Sequence, residues 1–293
     1  MDDKINKRIA EAIENRKYVI AKFLLEKIIT EDTVQVNSHD EELYKDYALC
    51  CFNLHQFRKT KYIVQKYLKT SKNYEGMLDD IETRKQQVLE KHYPKIWYVS
   101  TDRFRSIIED QLMVFTEITD TISCIIADKS NLYRLILEEH GSFYNEQLNE
   151  DDIGVGVITD IIKGKSLITI PESYANDSGI TDDMWYGVIG HELGHIMLRH
   201  HIGEVLIFFN YRTTPIQWEY LVNIIQESLP MGANEVLENE LLADAIAVFK
   251  GYPSEVMKGR EYFKSFSKGY NPIPFPFQDI ERLLGWTVQD TEI

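Results

Sequence analysis

Apolar residues recur at helical spacing through residues 1–95. Ile5, Ile9 and Ile13 fall four apart, as do Ile20, Leu24 and Ile28, so each set shares one face of a 3.6-residue helix. After the polar stretch 31–42 the pattern resumes with Tyr44, Tyr47, Ala48 and Cys51, then Tyr62, Ile63, Val64, Tyr67 and Leu68. Gly and Pro are nearly absent here, as paired helices require. Tyr18, Ala21, Leu25 and Ile28 align with Phe57, Thr60, Val64 and Tyr67 at an offset of 39 residues (57 − 18). This suggests degenerate hairpins of the tetratricopeptide type, whose usual period is ~34 residues. An ordinary helical bundle would account for the same pattern. Either arrangement makes residues 1–95 an all-helical region that offers a docking surface for a protein partner or a homodimer.

Tyr93-Pro94 ends this segment, because proline disfavours helix at the residue before it. Residues 95–150 read as mixed, mainly helical. Then the texture changes. Ile153-Gly154-Val155-Gly156-Val157-Ile158 and Lys165-Ser166-Leu167-Ile168-Thr169-Ile170 are β-rich, with Lys163-Gly164 as a turn between them and Pro171 closing the second strand. Thr181-Asp182-Asp183 supplies an N-cap and an acidic first turn, which predicts a helix over 181–203. A second helix is predicted over 234–250, closed by Gly251 and Pro253.

The bulk properties narrow the function classes. The 293 residues are 44% hydrophobic and 27% charged, values of a globular chain long enough to bury a sizeable core. A formal charge of −15 repels phosphate backbones, so no nucleic-acid partner is expected. No stretch reaches the ~20 apolar residues of a membrane helix, so no membrane insertion is expected either. Charges recur too often in the first 22 residues for a signal peptide. The 3 cysteines, Cys50, Cys51 and Cys124, form an odd, sparse set that suits reduced, buried thiols and a cytoplasmic location.

His191-Glu192-Leu193-Gly194-His195 carries the chemistry. Residues four apart on a helix share a face, so both imidazoles can reach one metal ion, Zn2+ above all. Glu192 then stands beside the metal as a candidate general base. Apolar Val188, Ile189, Leu193, Ile196, Met197 and Leu198 would bury this helix, and Gly194 leaves room for a close neighbour. A catalytic zinc needs a third protein ligand. On a continued helix His200 and His201 would point about 140° and about 240° away from His195, from the ~100° step per residue. Glu240, in Glu238-Asn239-Glu240-Leu241-Leu242-Ala243-Asp244, is the favoured third ligand. Asp244 shares its face and can fix a ligating imidazole by a hydrogen bond, while small Ala243 lets two helices approach closely. A solvated acidic helix start is the plainer reading of Glu238, Glu240 and Asp244. Their company with the histidine helix argues for the metal. An extra donor for the developing oxyanion would come from Tyr211, Arg212, Tyr252 or Arg260.

HELGHIMLRH followed by ENELLADAIAVFKGYP resembles the gluzincin metallopeptidases of the HtpX and CAAX-prenyl-endopeptidase type, including their soluble, tetratricopeptide-bearing bacterial relatives. Glu240, Ala243, Asp244, Gly251, Tyr252 and Pro253 match that pattern, with the Tyr–Pro spacing one residue shorter, and Ile168-Thr169-Ile170-Pro171 resembles the strand before the family's active-site helix. The resemblance covers roughly residues 150–260. It implies an α+β fold, mainly helical, in which a zincin-like metallopeptidase domain with a short sheet occupies residues 96–293. It further implies a protein or peptide substrate lying extended along an edge strand near Lys165–Ile170. The 45-residue spacing from His195 to Glu240 (240 − 195) and the absent membrane helices depart from most members. The shorter connection resembles the ImmA/IrrE-type peptidases, which cut transcriptional repressors, while the Ala-Asp pair and the Gly-Tyr-Pro segment favour the first family. A non-catalytic helical scaffold with a vestigial metal site is the competing class. It leaves Glu192 without a purpose.

Overall fold

The structure, a computed structural model, describes residues 3–31, 38–140, 150–160, 162–199 and 235–264. Five helices come first: α1 (Asp3–Glu14), α2 (Tyr18–Glu31), α3 (Ser38–Asn53), α4 (Phe57–Tyr67) and α5 (Tyr74–Lys91). Each packs against the next. The α1–α2 and α3–α4 connections are the same turn. Lys17 N–H donates to Ala12 O and Arg16 N–H to Ile13 O; 39 residues on (56 − 17), Gln56 N–H donates to Cys51 O and His55 N–H to Phe52 O. Arg16 (φ 58°) and His55 (φ 60°) occupy the left-handed region that this helix ending requires. The 39-residue offset thus separates equivalent turns, and Tyr18 and Phe57 open equivalent helices. Cys50, Cys51 and Cys124 are fully buried. Burial pushes the Cys51 and Cys124 thiols up to about 12, which leaves them inert.

The remainder is built on a four-stranded sheet in the order β1-β2-β4-β3. β1 (Ile96–Val99), β2 (Thr121–Ala127) and β4 (Lys165–Pro171) run parallel, and β3 (Gly156–Asp160) pairs antiparallel with β4. The β3–β4 hairpin turns at Gly164 (φ +59°), where a side chain would be strained. α6 (Asp102–Leu112) joins β1 to β2, with Thr101 Oγ1 capping it at Phe104 N–H, and α7 (Lys129–His140) follows β2. Two of the strands therefore come from residues 95–150. In β2 buried Ile122 and Cys124 alternate with half-buried neighbours, a period too short-lived to stand out from the flanking helices. Strand β4 is not an edge: it lies between β2 and β3. The hairpin folds β3 outward, so β3 is the outer strand on that side among the described residues, and β3 packs against the histidine helix.

That helix, α9 (Asp182–Arg199), follows the single turn α8 (Glu172–Ala175). Thr181 Oγ1 accepts from Met184 N–H at 3.4 Å, and Asp182 and Asp183 fill its first turn. Its predicted end near residue 203 lies outside the described residues. α10 (Glu235–Phe249) ends at Gly251 (φ +93°), where Gly251 N–H donates to Val248 O and Tyr252 N–H to Ala247 O. Pro253 then opens α11 (Pro253–Lys264) at the position where a missing N–H costs nothing. α9 is apolar almost all round, with Trp185, Ile189, Leu193, Ile196, Met197 and Leu198 buried, and packs on α6, β3, α10 and α11. Two glycines set those distances. A Cβ on Gly187 would stand 2.1 Å from Glu255 O, and one on Gly194 would stand 2.6 Å from Ala243 O.

The two hydrophobic cores interlock. Phe23 of α2 belongs to the core around the sheet, and Met113, after α6, belongs to the core of the first five helices. A buried ion cluster joins them as well. Lys22, 0% exposed, donates from Nζ to Gly251 O at 2.7 Å and to Glu255 at 3.0 Å, and pairs with Glu26 at 3.0 Å. Lys59 pairs with the same two carboxylates, and Gln56 Nε2 also donates to Gly251 O. Burial opposes the Lys22 ammonium, but Glu255 and Glu26 outweigh it and raise its pKa. Burial likewise opposes the Glu26 carboxylate, and Lys22 and Lys59 hold it well below the usual range. Among the described residues no helix is long and apolar enough to cross a membrane.

Removing the Lys22 charge should therefore unfasten the two halves. Lys22→Met is expected to destabilise the protein by ~3–5 kcal/mol, the cost of leaving buried carboxylates under-compensated, read as a lower urea midpoint. The sign of its pH dependence follows from the raised pKa. The Lys22 contribution is complete below its ordinary 10.5 and is lost as pH rises through the folded value. The gap between wild type and variant should thus shrink in alkali.

Candidate metal centre

α9 and α10 cross where Gly194 meets Ala243, and this brings four predicted residues into one cluster. His191 and His195 project from successive turns of α9, with their Nε2 atoms 3.0 Å apart. Glu240 of α10 faces both: its Oε2 is 3.2 Å from His191 Nε2 and its Oε1 is 3.1 Å from His195 Nε2. On the far side of the ring, His191 Nδ1 lies 2.7 Å from Asp244 Oδ1. The side chains of His191, His195 and Glu240 are 12%, 14% and 27% exposed, so the cluster opens to one side.

The donor set fits a zinc ion. Ligand atoms ~2.1 Å from a tetrahedral zinc stand about 3.4 Å apart, close to the 3.0–3.2 Å separations in this cluster. Proton inventory points the same way. A carboxylate only accepts, so Asp244 places the proton of a neutral His191 on Nδ1 and leaves a lone pair on Nε2. That lone pair, the His195 nitrogen and the Glu240 oxygens then converge with too few protons to bridge them. Positive charge at their centre resolves the conflict. Burial disfavours an imidazolium at His191, yet Asp244 and Glu240 outweigh that and push it up to about 10. The site draws positive charge strongly, which a divalent cation supplies.

Arg260 of α11 completes the cluster. Its Nε donates to Asp244 Oδ2 at 2.7 Å, and its Nη2 lies 3.6 Å from Glu240 Oε2. Burial alone would raise the Asp244 pKa; Arg260 and His191 reverse this and lower it. Nη2 of Arg260 is buried and has no hydrogen-bond partner among the described residues. The residue was expected only as one of four oxyanion donors, and its hold on Asp244 was missed. The signal was available: a buried Asp in the apolar run Leu241–Phe249 needs a cation, and the Gly251–Pro253 corner folds the next helix back over it. Tyr252, another of the four, is a core residue. It stacks between Phe115 and Tyr186, and its ring lies under the Lys22 ammonium. Tyr211, Arg212, His200 and His201 lie outside the described residues.

Glu192 is 5% exposed. Burial raises its pKa above the ordinary carboxylate value, with His191 and His195 pulling the other way. A poorly solvated carboxylate beside a cation site is a stronger proton acceptor than one in water. Compared with protein-family models, curated proteins and solved structures, the chain matches none of them.

Two substitutions test this geometry. Gly194→Ala should push α10 away from α9 and separate Glu240 from the histidines, lowering stability by ~1–3 kcal/mol and zinc affinity with it. Asp244→Asn should weaken zinc ~10–100-fold, because the amide cannot hold both the imidazole N–H and Arg260. Competition with a chelating dye measures both. Full zinc affinity in Asp244→Asn would show that His191 is oriented by something else.

Proposed function

We propose that this chain is a zinc-dependent endopeptidase in which His191, His195 and Glu240 hold the metal and Glu192 is the general base. The observation that carries the reading is a buried carboxylate, Glu192, placed one residue from a three-donor cluster on a helix packed in the core. A site that merely tied two helices together would gain nothing from Glu192. Bound at these residues, zinc would lower the pKa of a coordinated water and polarise a carbonyl.

The protein's own groups do the rest. Asp244, gripped by Arg260, fixes the His191 ring so that Nε2 faces His195 and Glu240, the residues that with it would hold the metal. Glu192 accepts the proton of the attacking water on a carboxylate oxygen and returns it to the leaving nitrogen. The buried Nη2 of Arg260, which makes no hydrogen bond among the described residues, is a donor at hand for an oxygen that gains charge. A peptide substrate would extend alongside β3, the outer strand beside α9, rather than along β4, whose hydrogen-bonding edges are both taken. We read the setting as cytoplasmic, in keeping with three buried, unreactive thiols. Protein substrates, misfolded chains or a repressor among them, fit an opening that exposes only the rims of three ligands.

Glu192→Gln keeps size and polarity and removes basicity. The variant is expected to hold about one zinc per chain, unfold at the wild-type midpoint, and hydrolyse peptides from a proteome-derived library at least ~100-fold more slowly. His191→Ala, His195→Ala and Glu240→Gln should each lose zinc as well as activity. Equal peptide turnover by wild type and Glu192→Gln would place the activity elsewhere and leave a metal-binding scaffold.

A further inference from the structure

A cleft of about 550 Å³ lies between the N-terminal helices, the start of α9 and one face of α11, a volume typical of small-molecule sites. Tyrosines dominate its walls. Tyr44 and Tyr67 stack at 3.9 Å, and Tyr47, Tyr62 and Tyr186 line it with them. Two lining residues, each 1% exposed, carry polar atoms with no partner among the described residues: the Tyr252 hydroxyl and Gln56 Oε1. Buried polar atoms are rarely left unpaired in a folded protein, and an unpaired one beside a cleft points to a ligand.

The charges say which kind. Asp110 lines the cleft and is 5% exposed. It accepts from Arg58 N–H at 3.3 Å and from the Tyr186 hydroxyl at 3.0 Å, and it forms no ion pair among the described residues. The other buried or half-buried carboxylates here are neutralised: Glu26 and Glu255 by Lys22 and Lys59, Asp182 by Arg58 and Arg103, Asp183 by Lys258. The lining cations are thereby engaged, and Lys27 lies 4.5 Å from the Phe23 ring. An anion entering the cleft would have to break an ion pair, whereas a cation would find a carboxylate in need of one.

We propose that this cleft is a binding site for an organic cation, an amidinium or guanidinium on an aromatic or alkyl body, whose head pairs with Asp110 and whose body lies against the tyrosine rings. A planar head suits the Asp110 carboxylate, because it donates two parallel hydrogen bonds. Electron-rich ring faces favour the same charge. Burial pushes the Asp110 carboxyl up to about 6, against the pull of Arg58 and Lys85. The inference stands apart from the peptidase reading, since no metal ligand lines the cleft.

The probe is benzamidine, titrated calorimetrically into the full-length protein, with benzamide and benzoate as neutral and anionic controls of the same shape. Saturable binding of one benzamidine per chain is expected, with both controls at least ~10-fold weaker. Asp110→Asn should weaken benzamidine at least ~10-fold. Tyr62→Ser, at a rim position 54% exposed, should fold normally and weaken it about threefold. Absence of saturable benzamidine binding, or equal binding of benzoate or benzamide, overturns the proposal. So does undiminished affinity in a folded Asp110→Asn or, if that variant does not fold, in Tyr62→Ser.

Discussion

The backbone of α9 touches the backbone of α10 where Gly194 meets Ala243, and the candidate metal centre depends on that contact. A Cβ at residue 194 would lie 2.6 Å from Ala243 O, which no packed pair of helices tolerates. Only at this separation does a carboxylate as short as that of Glu240 reach two imidazoles on the neighbouring helix. The same spacing puts Asp244, one turn further along α10, against the outer nitrogen of His191. Gly187 repeats the device against α11, with Glu255 O where a side chain would otherwise sit. α11 is thus drawn close enough for Arg260 to reach Asp244. One helix with small residues at 187, 190 and 194 sets the positions of both its partners.

That compactness concentrates charge in a dry place, and the fold answers it in two ways. At the candidate metal centre, Asp244 and Glu240 share Arg260 and two histidines. At the join with the N-terminal helices, Lys22 and Lys59 meet Glu26 and Glu255, an even match of two and two. An even match suits structure, since a buried pair with both members present is tolerated while one with a member missing is costly.

Much of this was legible in the residue pattern, and the failures are instructive. The 39-residue offset could be read because the turn that ends α1 and α3 fixes where each following helix starts, so the apolar faces repeat with it. The caps at Thr181, Gly251 and Pro253 are local chemistry and were read from local sequence. Strands β1 and β2 were not, because four to seven residues give an alternation too few repeats to outweigh the helices beside them. The place of β4 inside the sheet was also beyond the sequence. Hairpin order says that β3 and β4 are neighbours, but which of them meets β2 depends on contacts between residues about 45 apart, such as Cys124 with Ile168 (168 − 124 = 44). That His191 and His195 share a helix face was visible from spacing alone. The grip of Arg260 on Asp244 was not, because it needs a third helix whose path is set by glycine contacts.

The joining of the halves gives the N-terminal helices a part in the site itself. Lys22 and Gln56 both bond to Gly251 O, the carbonyl at the corner where α10 turns into α11. Lys22 also holds Glu255 in the first turn of α11, and Arg260 stands little more than one turn beyond it. The orientation of Arg260, and through Asp244 the orientation of His191, is therefore anchored at a corner held by α2 and by the residue just before α4. Side chains around a metal must be fixed within a fraction of an ångström to keep their geometry, and residues that touch no ligand do much of that fixing. In this protein the fixing reaches back to residue 22. The first five helices are thus tied to the corner that carries Arg260.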